Sequence, residues 1–167
     1  IDNSLLRLFR TTPDDIRYKH LLVKITDKTG GEYYVTHKFN ITKNEPTYEH
    51  FNPIVLRCSE MYLNRAEAYL NKDDLVNAAK DVKAIIARAL EKDPSEISVT
   101  ETNKAQLKKI IEEERTKELC FEGHQLYDIT RRKQDMVRSL TTTSSVQKLL
   151  YPSDLFIKPI PQRELDI

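Results

Sequence analysis

Residues 54–90 constrain this chain most, because two helical patterns follow one another there with only "KDD" between them. The first, "IVLRCSEMYLNRAEAYLN" (54–71), is apolar on two sides. Leu56, Leu63, Ala66 and Leu70 form one stripe, and Val55, Cys58, Tyr62 and Tyr69 form another. A helix with two apolar sides is expected to lie sandwiched between neighbours. Asp73 or Asp74 can cap the helix that follows by accepting from its free N–H groups. That helix sets Leu75, Ala78, Ala79, Val82, Ile85, Ile86 and Ala89 on one face, the i, i+3, i+4, i+7 recurrence of one-sided burial.

Tyr62, Ala66, Tyr69, Ala78 and Val82 alternate large and small at the spacing of a tetratricopeptide helical hairpin, which this pair resembles. One such hairpin cannot bury its own faces, so further helices must pack on it. "EKDPSEISVTET" (91–102) reads as a loop, and Asn103 with Gln106 as an N-x-x-Q capping box that opens a third helix. This helix is predicted to run to Gly123, a residue suited to a left-handed C-terminal cap. A fourth should carry Leu126, Ile129, Lys133, Met136 and Val137 on one side. "TTTSS" (141–145) is polar and mobile in character, and "DLFIKPIPQREL" (154–165) reads as an extended tail.

The first fifty residues differ. "HLLVKIT" (20–26) and "EYYVTHKFNI" (32–41) are rich in β-branched and aromatic residues and are joined by "DKTGG", whose two glycines can supply positive φ. A β-hairpin is predicted, followed by an irregular connector over 42–53. The fold class is therefore mainly α, helical hairpins with a small N-terminal β-hairpin, in one domain spanning 1–167.

With 27 basic and 26 acidic residues, the chain has no basic excess to attract nucleic acid or an anionic membrane. Cys58 and Cys120 are too few for a disulfide scaffold and read as buried, unlinked thiols. No zinc spacing, nucleophile elbow, P-loop or HExxH is present, and no stretch approaches the ~20 apolar residues of a membrane span. No metal and no cofactor is expected.

One run, "EERTKELCFEGHQLYDITRRK" (113–133), packs carboxylates, cations, a histidine and a cysteine together. On a helix turning about 100° per residue, Leu107, Ile110, Ile111 and Phe121 define an inward arc. Glu114 and Glu118 fall inside that arc, and Arg115 and Glu122 flank it. Lys108, Lys109, Glu112, Glu113 and Lys117 fall on the outer, solvated side. Carboxylates facing a core need cations or donors. Arg115 and Arg131 are available locally, with Arg57, Arg65 and Arg88 from the preceding hairpin. A structural ion network of Arg57, Arg88, Glu114, Arg115, Glu118, Glu122 and Arg131 is the reading adopted. A paired-acid glycosidase centre would need Glu114 and Glu118 on opposing walls of a cleft, whereas they share one helix. A metal site would have only His124 and Asp128 at i, i+4, too few ligands.

The same residues resemble the C-terminal part of the SusD/RagB family, glycan- and nutrient-binding lipoproteins of Bacteroidetes outer membranes. Asp15-Ile16-Arg17 matches the family's D-x-R before its hairpin. Arg57, Glu60, Leu63 and Ala66-Glu67-Ala68 match "R-x-x-E-x-x-L-x-x-A-E-A". "ERTKELCFEGHQLYDITR" matches "E-R-x-x-E-L-x-F-E-G-x-R-x-x-D-L-x-R", and "KPIPQREL" the closing "P-I-P-x-x-E". Gln125 stands in place of arginine and Ile129 in place of leucine. Across 83–89, one asparagine and one arginine of the family's "N-x-[IV]-R-x-R-A" are replaced.

The resemblance implies a tetratricopeptide-bearing α fold and no catalysis. It implies oligosaccharide binding at the extracellular face of the outer membrane and delivery to a TonB-dependent, SusC-like transporter. The chain then reads as a truncated piece, held to the membrane only through an N-terminal lipid anchor that lies outside it. Sugar contacts in such proteins lie in variable loops. Tyr33, Tyr34 and Tyr48, the clustered aromatics outside the helices, are the glycan-stacking candidates. The competing reading is a tetratricopeptide-type protein-interaction module with no glycan role.

Overall fold

Helices carry the architecture, as the apolar periodicity requires. The computed structural model describes residues 1, 3–39, 55–138, 145–157 and 161. In chain order these form α1 (Asn3–Arg10), α2 (Ile16–Leu21), β1 (Leu22–Thr26), β2 (Glu32–Thr36), α3 (Cys58–Asn71), α4 (Leu75–Leu90), α5 (Lys104–Glu118), α6 (His124–Arg131), β3 (Met136–Val137) and β4 (Lys148–Leu149). The fold is mainly α with small two-stranded sheets, as the sequence pattern predicts.

The α3–α4 hairpin packs against α5 around one core of Ala66, Leu70, Ala78, Ala79, Val82, Leu107 and Ile111. The alanines let the helices approach closely. Asp74, not Asp73, caps α4 by accepting from the Asn77 N–H at 3.2 Å. The connector to α5 sends Ile97 and Val99 into the same core. Asn103 caps α5 by accepting from Gln106 N–H at 3.0 Å. The Asn103 N–H itself donates to Thr100 Oγ1 at 3.2 Å.

Four expectations fail, each for a local reason. First, α3 begins at Cys58 rather than Ile54, because Arg57 is extended (φ −145°) and Val55 and Leu56 are exposed. Its second stripe is covered only at Tyr69, which packs against the main core. Cys58 is exposed and Tyr62 is 37 % exposed, since α4 and α5 both lie on the Ala66–Leu70 side. Cys58 is thus not a buried thiol, whereas Cys120 is, and both are free.

Second, α5 stops at Glu118, five residues before Gly123. In a continued helix the Glu118 carbonyl would accept from Glu122 N–H. Instead it accepts from Lys38 Nζ at 2.9 Å, and Lys38 also reaches the Cys120 carbonyl at 2.8 Å. Phe121 (φ 67°) turns the chain, and Gly123 (φ 82°) opens α6 instead of closing α5.

Third, α6 ends at Arg131. Lys133 is left-handed (φ 54°), and Gln134 N–H closes back on the Ile129 carbonyl at 3.0 Å, a Schellman-type stop. Met136 and Val137 then pair as strand β3 with Leu149 and Lys148 of β4. Fourth, the segment after Ser153 is not wholly extended, because Asp154–Phe156 forms a 3-10 turn that buries Phe156. The connector 42–53 and residues 141–144 lie outside the described residues.

The β-hairpin forms in the register Leu22↔Thr36 to Thr26↔Glu32. Of its two turn glycines only Gly30 has positive φ (85°). A Cβ at Gly31 would sit 2.7 Å from Asp27 Oδ2, the end of an exposed side chain that would have to move aside. Two short N-terminal helices were not legible in the sequence. Leu6 and Phe9 of α1 join Leu22 and Cys120 in a second apolar cluster, packed by Tyr18, Tyr34 and Phe121. Asp15 caps α2 by accepting from the Arg17 N–H at 2.9 Å.

Candidate functional site

Where α2, α3 and α4 converge on the end of α5, the structure assembles a dense set of charges. Glu118, 1 % exposed, is its centre. Arg17 Nη1 donates to one Glu118 oxygen at 3.1 Å, Arg88 Nη2 lies 2.6 Å from both oxygens, and Arg57 Nη2 donates to Oε1. Arg17 also bridges to Glu114 at 2.8 Å and to Asp15 at 2.6 Å. Lys117 pairs with Glu114. Arg57 Nη1 and Lys38 Nζ each meet Glu122 at 2.5 Å.

Arg17 is almost fully buried. Burial alone would lower its pKa, but the carboxylates of Asp15 and Glu114 outweigh that and raise it. Arg88 moves the other way, pushed down by burial and by the neighbouring Arg17 and Arg57 guanidiniums. Glu114 and Glu118 share a guanidinium rather than facing each other across open space. No lone pair of Glu118 is aimed at solvent, so the arrangement holds elements together rather than presenting an acid to a substrate.

The structure therefore brings Arg57, Arg88, Glu114, Glu118 and Glu122 into one constellation. Arg115 and Arg131 stand apart from it, on Asp128. Arg115 Nε meets that carboxylate at 2.6 Å and Arg131 Nε at 2.9 Å. Arg115 also donates to Asn64 Oδ1 at 2.7 Å. Arg131 forks onto Glu67 at 2.7 and 2.6 Å, with Arg132 beside it at 3.3 and 3.2 Å. Burial would raise the Glu67 carboxyl, but these two arginines pull it down to about 2. Arg65 serves neither group and pairs instead with buried Asp81 at 2.7 Å.

Asp15, Arg17, Lys38 and Lys117 are the members that periodicity missed. Asp15 and Arg17 stood in the D-x-R motif, a signal with no partner attached to it. Lys117 falls on the arc assigned to solvent, yet it is 6 % exposed. The assignment fails because α5 is covered from two directions, by α1 and by the α3–α4 hairpin. Phe121 leaves the helical arc altogether and packs on the second apolar cluster.

A cleft of about 480 Å³ runs along α5 and α6, lined among others by Arg115, Phe121, His124, Gln125 and Arg132. His124 lies 3.8 Å from both Glu60 and Glu122, and Asp128 is turned to its arginines. No group of His, Cys, Asp and Glu suited to a metal ion occurs among the described residues. Tyr33 is 47 % exposed on the outer face of the hairpin, opposite Ile25. Tyr34 faces inward, its hydroxyl 3.4 Å from that of Tyr18. Tyr48 lies outside the described residues. Among those residues, no helix is long and apolar enough to cross a membrane.

Comparison with known proteins places these features in a family. No curated protein and no solved structure gives a significant match. The SusD family profile matches residues 24–166, which take in most of the β-hairpin and every member of the two charge networks except Asp15 and Arg17. The chain belongs to the SusD family.

Proposed function

We propose that this chain is part of a nutrient-binding protein at the extracellular face of the bacterial outer membrane. It takes oligosaccharide and hands it to a SusC-like TonB-dependent transporter. The observation that carries this reading is the family match over residues 24–166. The inward-turned ion networks support it, because they serve a scaffold and leave no acid pair poised over a cleft. Residues 1–167 act as the scaffold domain of that protein. Tyr33, opposite Ile25 on the hairpin, offers an exposed ring on which a sugar can stack.

A glycan array probed with the labelled protein tests the reading, together with a pull-down of detergent-solubilised outer membrane. Saccharide binding and retention of a TonB-dependent transporter are expected. Incubation with the bound saccharide should release no reducing ends above a heat-treated control. Retention of a transporter with a blank array would instead favour a protein-interaction role.

A further inference from the structure

The two charge networks meet at one residue. His124 is the first residue of α6, and its ring lies between Glu60 of α3 and Glu122 of the turn after α5. Nδ1 is 3.8 Å from Glu60 Oε1, and Nε2 is 3.8 Å from Glu122 Oε2. At that distance neither contact is a hydrogen bond. Both carboxylates are mostly buried, their side chains 13 % and 5 % exposed. Each also turns toward the ring an oxygen that lacks another close donor. Arg57 and Lys38 reach Glu122 through Oε1, which leaves Oε2 to His124. The Glu60 carboxylate receives no hydrogen bond among the described residues, and Arg115 Nη2 comes no nearer than 4.0 Å. Arg115 is held in that position by Asp128 at Nε and Asn64 at Nη1.

A neutral imidazole has one N–H and one lone pair, so it serves one of these carboxylates and turns a lone pair to the other. An imidazolium has two N–H groups and serves both. The missing partner between Glu60 and Glu122 is thus a proton. The positive end of the α6 dipole acts against a charge on its first residue, while the two carboxylates act for it. Asp128, one turn along α6, does not enter that balance, because Arg115 and Arg131 both engage it. Among the described residues, the other ion pairs of the two networks all use arginine or lysine, whose charge is constant near neutral pH. Histidine is the side chain that changes charge between about pH 5 and 8.

We propose that His124 is a proton-operated clasp between α3 and the α5–α6 turn. With a proton on the ring, Nδ1–H closes on Glu60 and Nε2–H on Glu122. The network centred on Glu118 is then joined, through Glu60 and Arg115, to the network on Asp128. Without the proton one of the two carboxylates loses its partner, and the joint opens. The clasp holds in mildly acidic surroundings and releases as pH rises through the imidazole range, in which ordinary carboxylates stay ionised.

The test follows the His124 ring of the full 13C,15N-labelled chain by NMR at about pH 5.5 and about pH 8, on either side of that range. Through-bond correlation to its own backbone assigns the ring in the wild-type protein. Two N–H groups protected from exchange with water are expected at the lower pH, and one N–H at the higher. Urea melts at the same two pH values then measure a double-mutant cycle of His124→Gln with Glu60→Gln. Their coupling should be roughly fivefold in the unfolding equilibrium constant at the lower pH and absent at the higher. The cycle cancels what each substitution costs by itself, and the wild-type spectra decide the matter even where a variant folds poorly. A coupling that is equal at both pH values, or larger at the higher one, would overturn the proposal. So would a ring whose number of N–H groups does not change, or two N–H groups that exchange freely with water.

Discussion

Deleting the Glu118 carboxylate would leave the Arg17, Arg57 and Arg88 guanidiniums facing one another with nothing between them. A buried ion pair adds little over apolar packing, but removing one partner typically costs ~3–5 kcal/mol because a charge stays buried and unpaired. That is a large share of a domain's total of ~5–15 kcal/mol. Glu118→Ala should therefore lower the urea midpoint severely or unfold the domain. Glu113→Ala should move it by less than ~0.5 kcal/mol, since that side chain is 39 % exposed and only loosely paired with Lys109 at 3.8 Å. Equal midpoints would mean that Glu118 is not held as described. The two thiols also differ by position alone. Cys58 is exposed, while burial raises the Cys120 pKa. A disulfide-exchange reagent should label one cysteine rapidly in the native protein and the second only after denaturation. Two equal native rates would contradict the buried position of Cys120.

The ends of elements, rather than their middles, separate what the sequence disclosed from what it hid. The inward positions of α4 followed directly from the spacing of Ala78, Ala79, Val82, Ile85 and Ala89, all buried. The stop of α5 could not be read that way, because the agent that ends it, Lys38, lies eighty residues away from Glu118. Its ammonium replaces the donors that a further helical turn would have supplied, and it is 7 % exposed in doing so. Lys38→Met should cost about 2–3 kcal/mol, because two carbonyls and the Glu122 carboxylate lose a charged donor together. Thermal melts check this, and a change within about 0.5 kcal/mol would assign the stop to Phe121 and Gly123 alone. The centre of the charge site was similarly half legible. Glu118 announced itself by interrupting an apolar arc, but no local period links it to Arg17 in another helix. The D-x-R motif marked that arginine as meaningful without revealing its partner.

At the scale of the molecule, acid is the condition that pulls the networks apart. Arg131 and Arg132 hold the Glu67 carboxyl at about 2 in the folded chain, against ~4.3 for a free glutamate. A depressed carboxyl stabilises fully above the unfolded value and loses that contribution as pH falls toward the folded one. Stability should thus decline from about pH 5 down to about pH 2, and Glu67→Gln should flatten that limb. Melting temperatures measured across this range decide it, and parallel curves for the two proteins would remove Glu67 from the acid response. The order in which contacts form follows from the central network's connectivity. Glu118 ties together residues 101, 61 and 30 positions away along the chain, on three separate elements. Each tie requires a loop to close before it returns anything, so the local α3–α4 hairpin can form early while the charge cluster closes last. Interactions absent from the transition state set how slowly a protein opens rather than how fast it forms. In a chevron measurement, Glu118→Gln should leave the refolding arm nearly unchanged and raise the unfolding arm. On that view the buried glutamate acts as a latch on the lifetime of the native state.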